Sequence, residues 1–194
     1  MADAPRVLIL AGPNGAGKTS AARSLLADTL GMMTFVNADA IAVGLSAFDP
    51  ESVAFSAGRV MLDRIRELAA EKVDFAFETT LSARTYIAWL QQMQSDGYRL
   101  LLFYVWLEDA DLAIQRVAIR VSQGGHSIPE GTIRQRYARS MANFHNLYRP
   151  LVDDWIIYDN SLNGVYRLVA EGTRSGSETI HDAELWANFC RGVQ

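Results

Sequence analysis

The stretch Gly12-Pro13-Asn14-Gly15-Ala16-Gly17-Lys18-Thr19 restricts what this chain can fold into more than any other. It meets the phosphate-loop pattern G-x-x-x-x-G-K-[ST] at every fixed position. Its flanks agree with it. Arg6 to Ala11 is a short apolar run that reads as a buried strand, and Ser20 to Ala27 reads as the helix that follows. In that setting the backbone N–H groups of the loop and of the helix start converge on a phosphate, whose charge the helix dipole favours. Lys18 then reaches the β- and γ-phosphates and the Thr19 hydroxyl sits on Mg²⁺. Gly12 to Thr19, with Ser20 beside them, therefore predict a site for a nucleoside triphosphate with Mg²⁺.

The 194 residues suffice for one well-packed α/β domain spanning 1–194, with little left for a second. A net charge of −4 argues against a general nucleic-acid coat or an anionic-membrane binder. The single cysteine, Cys190, excludes a disulfide framework or a thiolate zinc site and fits a reduced, cytoplasmic compartment. No signal-type leader precedes the first strand, and no apolar run approaches the length needed to span a bilayer.

Strands and helices alternate along the chain. Strands are expected at Met32–Val36, Val73–Phe77, Arg99–Leu107 and Trp155–Tyr158, with an edge strand at Val165–Ala170. The run from Arg99 is continuously apolar, which suits a strand buried on both faces. Asp49-Pro50-Glu51 starts a long helix to about Ala70, and further helices cover about Ser82–Ser95, Asp109–Ser122, Pro129–Leu147 and His181–Arg191. A loop is expected at Gly44–Phe48, and a polar, mobile one from Glu171 to Glu178. The pattern predicts an α/β phosphate-loop NTPase fold, a parallel sheet with helices on both faces. Ligands in such sheets bind beyond the carboxyl ends of the strands. Polar groups stand at those ends: the phosphate loop, Asp39, Glu78 with Thr79, and Asn160.

A phosphate loop alone does not separate a kinase from a switch GTPase or a motor ATPase. The guanine reader Asn-Lys-x-Asp is missing, as is an apolar strand closing on the Asp that marks motors. A second cluster favours a kinase. Arg116, Arg120, Arg134, Arg136 and Arg139 flank Gly124-Gly125-His126-Ser127-Ile128-Pro129, a glycine-hinged lid over about residues 120–136. Its closure brings guanidinium groups onto the phosphates and excludes water. Arg120, Arg134 and Arg136 are the expected lid cations, and Arg139 fits a solvated helix face better. Asp39 can accept a proton from an acceptor hydroxyl. Glu78 can share that role, hold the acceptor or orient a water on Mg²⁺. Asn160 is expected on the nucleotide side, Thr79 on the acceptor side. His126 reads as a loop hydrogen-bonder, and His145, His181 and Cys190 carry no spacing signal.

Taken together, Gly12–Thr19, Phe35-Val-Asn-Ala-Asp39, Phe77-Glu-Thr-Thr-Leu-Ser82, Val117 through Gly124-Gly-His-Ser-Ile-Pro-Glu130, Ile133-Arg-Gln-Arg-Tyr137 and Tyr158-Asp-Asn-Ser161 resemble the zeta-toxin family of phosphate-loop kinases, in its short single-domain form. The resemblance implies a nucleotide-kinase-like fold with a five-stranded core, ATP with Mg²⁺, and phosphoryl transfer to a hydroxyl, in the toxins that of a UDP-activated amino sugar. It further implies an antitoxin protein as partner. By motif position Asp39 matches the general base and Glu78 the substrate-holding carboxylate. Lys18 matches the phosphate-loop lysine, and Arg120 with Arg134 or Arg136 match the lid arginines. The chain lacks much of the larger toxins' sequence around the sugar site, so the acceptor stays open between a UDP-sugar and another metabolite or antibiotic. A nucleotide-binding regulatory module without transfer is the reading from a different class.

Overall fold

A computed structural model describes residues 4–22, 25–26, 30–125, 127–162 and 164–192. Seven strands form one sheet in the order β2-β3-β1-β4-β5-β6-β7. β1 (Arg6–Ala11) lies at its centre, paired in parallel with β3 (Phe75–Thr79) and β4 (Arg99–Trp106). β2 (Phe35–Val36) and β5 (Asp154–Asp159) extend the parallel part on either side. Ala11 pairs with Thr79 and Tyr104, so the loops that leave these strands emerge at one edge.

Because strand side chains alternate, the central strands serve two apolar layers. Val7 and Ile9 of β1, Phe75 and Phe77 of β3, and Tyr104 and Trp106 of β4 face one layer. There α3 (Ala54–Ala70) contributes Met61, Ile65 and Leu68, and α4 (Ile87–Ser95) contributes Leu90 and Met93. α6 (Glu130–Asn143), the π-helical turn Phe144–Tyr148 and α7 (Ala183–Arg191) cover the β4–β5 end of that face through Met141, Phe144, Tyr148 and Phe189. Leu8 and Leu10 face the other layer, with Ala22 of α1 (Lys18–Ala22) and Ala113 and Val117 of α5 (Ala110–Ser122). Burial of Trp106 or Phe77 alone is worth about 3–5 kcal/mol against alanine.

Several boundaries follow their capping residues. Asp109 accepts from Leu112 N at 2.7 Å and starts α5 where expected. α5 ends at the glycine pair: Gly124 has φ +92°, and Gly124 N and Gly125 N donate to Val121 O and Arg120 O. Asp49 accepts from Ser52 N ahead of a short 3₁₀ turn, Glu51–Val53, that leads into α3.

Five expectations need correction. A helix, α2 (Ala38–Leu45), occupies part of what reads as strand end and loop, because the Asn37 side chain caps it by accepting from Asp39 N and Ala40 N. β2 is only two residues long, and α4 begins at Ile87 after an irregular 80–86 segment in which Leu81 takes φ +60°. The segment expected to be a mobile loop belongs largely to a hairpin: β6 (Arg167–Thr173) pairs antiparallel with β5, and β7 (Glu178–Ile180) pairs with β6. β6 is thus not an edge strand. The later part of the first helix, at residues 23, 24 and 27, lies outside the described residues, as does His126.

Candidate active site

The phosphate loop, α2, the end of β3, α5 and the start of α6 enclose a cleft of about 930 Å³ at the carboxyl edge of the sheet. The loop folds as its glycines allow, with positive φ at Gly12, Gly15 and Gly17. Pro13 and Ala16 are buried in it. Asn14 lines the cleft, and its Oδ1 is buried without a hydrogen-bond partner among the described residues. Lys18 is only 6% exposed. Its Nζ curls back to donate to Pro13 O at 3.0 Å and stands 3.6 Å from Glu78 Oε1.

Glu78 is the hub of the floor. Its Oε2 accepts from Thr19 Oγ1 at 2.8 Å and from Asn37 Nδ2 at 2.7 Å. A carboxylate removed from water is stabilised when each oxygen has such a partner. The register of β1 on β3 sets this up by carrying the end of β3 alongside the loop. Thr79, Thr80, Ser20 and Asp39 line the same cleft, Asp39 from the first, exposed turn of α2.

On the opposite side, a latch joins the loop to the segment after β5. Asn160 is 2% exposed and does not line the cleft. Its Nδ2 donates to Ala16 O at 2.8 Å, and its Oδ1 accepts from Gly164 N at 2.9 Å. Tyr166 OH donates to Gly17 O at 2.8 Å. A Cβ on Gly17 would stand 2.7 Å from Asn160 Nδ2, so both the φ of +86° and the close approach require glycine there. Arg116 is committed to the same latch, donating to Asn160 O at 2.7 Å and Ser161 O at 3.1 Å. Asn160, expected on the nucleotide, is placed as a brace of the loop that would hold it.

Of the expected lid cations, Arg120 and Arg136 line the cleft and Arg134 does not. Arg134 pairs at the surface with Asp111 of α5. Arg139 is exposed, as expected. Tyr137 fixes the base of α6 by donating to Leu107 O at 2.6 Å and accepting from Trp106 Nε1 at 3.1 Å; burial pushes its phenol up to about 12. Sequence reasoning missed Tyr166, the brace made by Asn160, and Asn37 as the link between α2 and Glu78. Only Asn37 carried a signal, since an Asn just past a strand and ahead of an Ala-rich run is a helix-cap pattern.

The sequence profile of the family described as Zeta toxin matches residues 2–171. The chain belongs to the zeta-toxin family. A relative from Haemophilus influenzae, described as an uncharacterized protein, is 26% identical over 132 residues, covering 68% of this chain and 92% of its own length. The zeta-toxin-like fold recurs in the crystal structure of AvrRxo1-ORF1:-ORF2 with ATP, at TM-score 0.72 and 17% identity over 95% of this chain. This chain spans 63% of that one. It recurs as well in the PezAT chromosomal toxin–antitoxin system of Streptococcus pneumoniae, at TM-score 0.70 and 17% identity, covering 97% of this chain and 80% of that one. The zeta-toxin architecture is a phosphate-loop kinase fold, here with five parallel strands and an antiparallel hairpin. No helix among the described residues is long and apolar enough to cross a membrane.

Proposed function

We propose that this chain is an ATP-dependent kinase that moves the γ-phosphoryl group to a hydroxyl of a small molecule. One observation carries the reading: a single cleft brings together Lys18 and Thr19 of the phosphate loop, Asp39 and Glu78 on one side, and Arg120 and Arg136 on the other. A nucleotide-binding module has no use for an exposed carboxylate beside the loop, whereas a transferase needs one to take the hydroxyl proton.

In this reading Lys18 exchanges Pro13 O and Glu78 for the β- and γ-phosphates. Thr19 Oγ1 and Glu78, already 2.8 Å apart, are the groups that would hold Mg²⁺, Glu78 through a water. The metal, when bound, supplies charge neutralisation on the phosphates. Arg120 and Arg136 meet the charge that develops on the transferred group as the bridging P–O bond of ATP breaks and the acceptor O–P bond forms. Asp39 accepts the hydroxyl proton and ADP departs. Glu78, which the family resemblance assigns to the acceptor, here serves the metal side of the floor first, because both of its oxygens face Lys18 and Thr19.

The resemblance implies a UDP-linked sugar as acceptor, an antitoxin protein as partner and a cytoplasmic setting. Incubation with γ-labelled ATP and Mg²⁺ over a panel of UDP-sugars, free sugars, amino sugars and nucleosides tests the reaction. Label should move to an acceptor, and Lys18→Ala should cut transfer by about 10³-fold or more while the fold survives. Wild-type transfer by the Lys18→Ala protein would sink the assignment, and hydrolysis of ATP with no acceptor product would favour the regulatory module.

A further inference from the structure

The three phosphate-loop glycines with positive φ each press against a different element. A Cβ on Gly12 would stand 2.1 Å from Val105 O of β4, and one on Gly15 would stand 2.9 Å from Ala113 O of α5. At Gly17 the neighbours are side chains instead, Asn160 Nδ2 at 2.7 Å and Tyr166 OH at 3.0 Å. Both belong to the chain that follows β5, which reaches the loop across β4.

Asn160 is 2% exposed, and each of its polar groups is committed. Its N donates to Trp106 O at 3.0 Å, and its O accepts from Arg116 Nη2 at 2.7 Å. Oδ1 accepts from Gly164 N at 2.9 Å, which leaves Nδ2 directed at Ala16 O, 2.8 Å away. Three bonds fix the residue and the fourth acts on the loop. In a planar trans peptide the carbonyl and the next N–H point in opposite directions. Holding Ala16 O toward Asn160 therefore turns the Gly17 N–H the other way, to the cleft that Gly17 and Lys18 line. Tyr166 repeats the device one peptide on. Gly17 O accepts from its OH at 2.8 Å and from Ala21 N, a bond that starts α1, at 3.0 Å, and the Lys18 N–H faces away from both. Neither Gly17 N nor Lys18 N has an acceptor among the described residues. Successive N–H groups aimed at one point form an anion site, and a carbonyl rotated into that site would repel the same anion.

We infer that Asn160 and Tyr166 are positioning residues of the phosphate site: they hold two carbonyls outward and so aim the Gly17 and Lys18 N–H groups at the polyphosphate. Neither side chain lines the cleft, so both act through the loop. This rests on the nucleotide site of the kinase reading and adds what keeps that site shaped for an anion before one arrives.

Binding of inorganic tripolyphosphate and of ATP with Mg²⁺ is measured by calorimetry for wild type, Asn160→Ala and Tyr166→Phe. Val169→Ala, which truncates a buried side chain of β6 away from the loop, is the stability control. Both ligands should bind about tenfold more weakly to Asn160→Ala and about threefold more weakly to Tyr166→Phe, in which Ala21 N still holds the carbonyl. Val169→Ala should lower Tm and leave both affinities within about twofold. In the transfer assay KM for ATP should rise by the same factors with kcat within about threefold, because ground state and transition state share these N–H groups. On addition of tripolyphosphate the Gly17 amide proton should move downfield in wild type, and by less than about half as much in Asn160→Ala. Wild-type affinity in either variant overturns the inference and leaves the kinase reading intact, as does an affinity loss that Val169→Ala matches. Weakened binding in both variants with no phosphoryl transfer by the wild type overturns the kinase reading and leaves the two assignments standing. Binding of neither ligand by the wild type overturns both.

Discussion

Asp39 and Glu78 stand in one cleft but differ in surroundings, and their surroundings separate their roles. Asp39 is exposed on the first turn of α2, while Glu78 is nearly enclosed between Lys18, Thr19 and Asn37. Asp39→Asn keeps shape and removes the proposed proton acceptor, so kcat should fall about 10²- to 10⁴-fold with acceptor binding retained. Glu78→Gln should instead raise the Mg²⁺ concentration needed for half-maximal rate by about 10- to 100-fold, as expected for a group that orients a metal-bound water. Titration of Mg²⁺ and of acceptor with both variants checks this. A Glu78→Gln protein with normal metal dependence and weakened acceptor binding would return Glu78 to the acceptor. The phosphate loop and both carboxylates were readable from sequence, because motif and strand ends placed them. The wiring among them was not, since Asn37, Glu78 and Thr19 meet only through the pairing of β1 with β3 and of β3 with β2.

At the level of elements, the arginines expected in a lid show what a linear pattern leaves open. Arg134 and Arg136 lie two residues apart on α6, hence about 200° apart around its axis. Ile133 and Tyr137 turn inward; Arg136 lines the cleft and Arg134 reaches Asp111. Which of the pair joins the site depends on how α6 docks, and that docking is fixed by Tyr137 on Leu107 and Trp106. Arg120→Ala and Arg136→Ala should each lower kcat by about 10²-fold or more while ATP binding changes little. Arg134→Ala should lie within about 1 kcal/mol of wild type in stability and near it in kcat, because it loses only an exposed pair. Equal loss in all three would show that the lid closes with a different face toward the phosphates. α2 escaped the pattern reading for a related reason: of its eight residues only Ala42 is buried, so its periodicity is faint. The β6–β7 hairpin escaped because Glu171–Glu178 is polar and held by pairing with β5; Gly172 seats directly beneath the Trp155 ring, where a Cβ would stand 2.5 Å from it.

Across the whole molecule, the face opposite the phosphate loop carries an aromatic cluster in which His145 contacts Phe144, Trp186 and Phe189. Its Nε2 is buried without a partner among the described residues, and burial, with Arg149 adding to it, pulls its pKa down to about 4. The unfolded chain takes up that proton near the ordinary value of about 6.5. The contribution of a neutral His145 is therefore complete above about pH 6.5 and is lost as pH falls toward 4. Thermal unfolding from pH 7 to pH 4 should show a falling Tm, and His145→Phe should flatten that part of the profile; an unchanged slope would place the acid sensitivity elsewhere. The latch across the cleft has a consequence for synthesis. Ala16 and Gly17 leave the ribosome before the side chains that hold their carbonyls, since Asn160 and Tyr166 follow 144 and 149 residues later. The motif is thus made long before the residues that complete it. A nascent chain arrested before Asn160 clears the exit tunnel should fail to photo-crosslink an azido-ATP probe that the released protein captures.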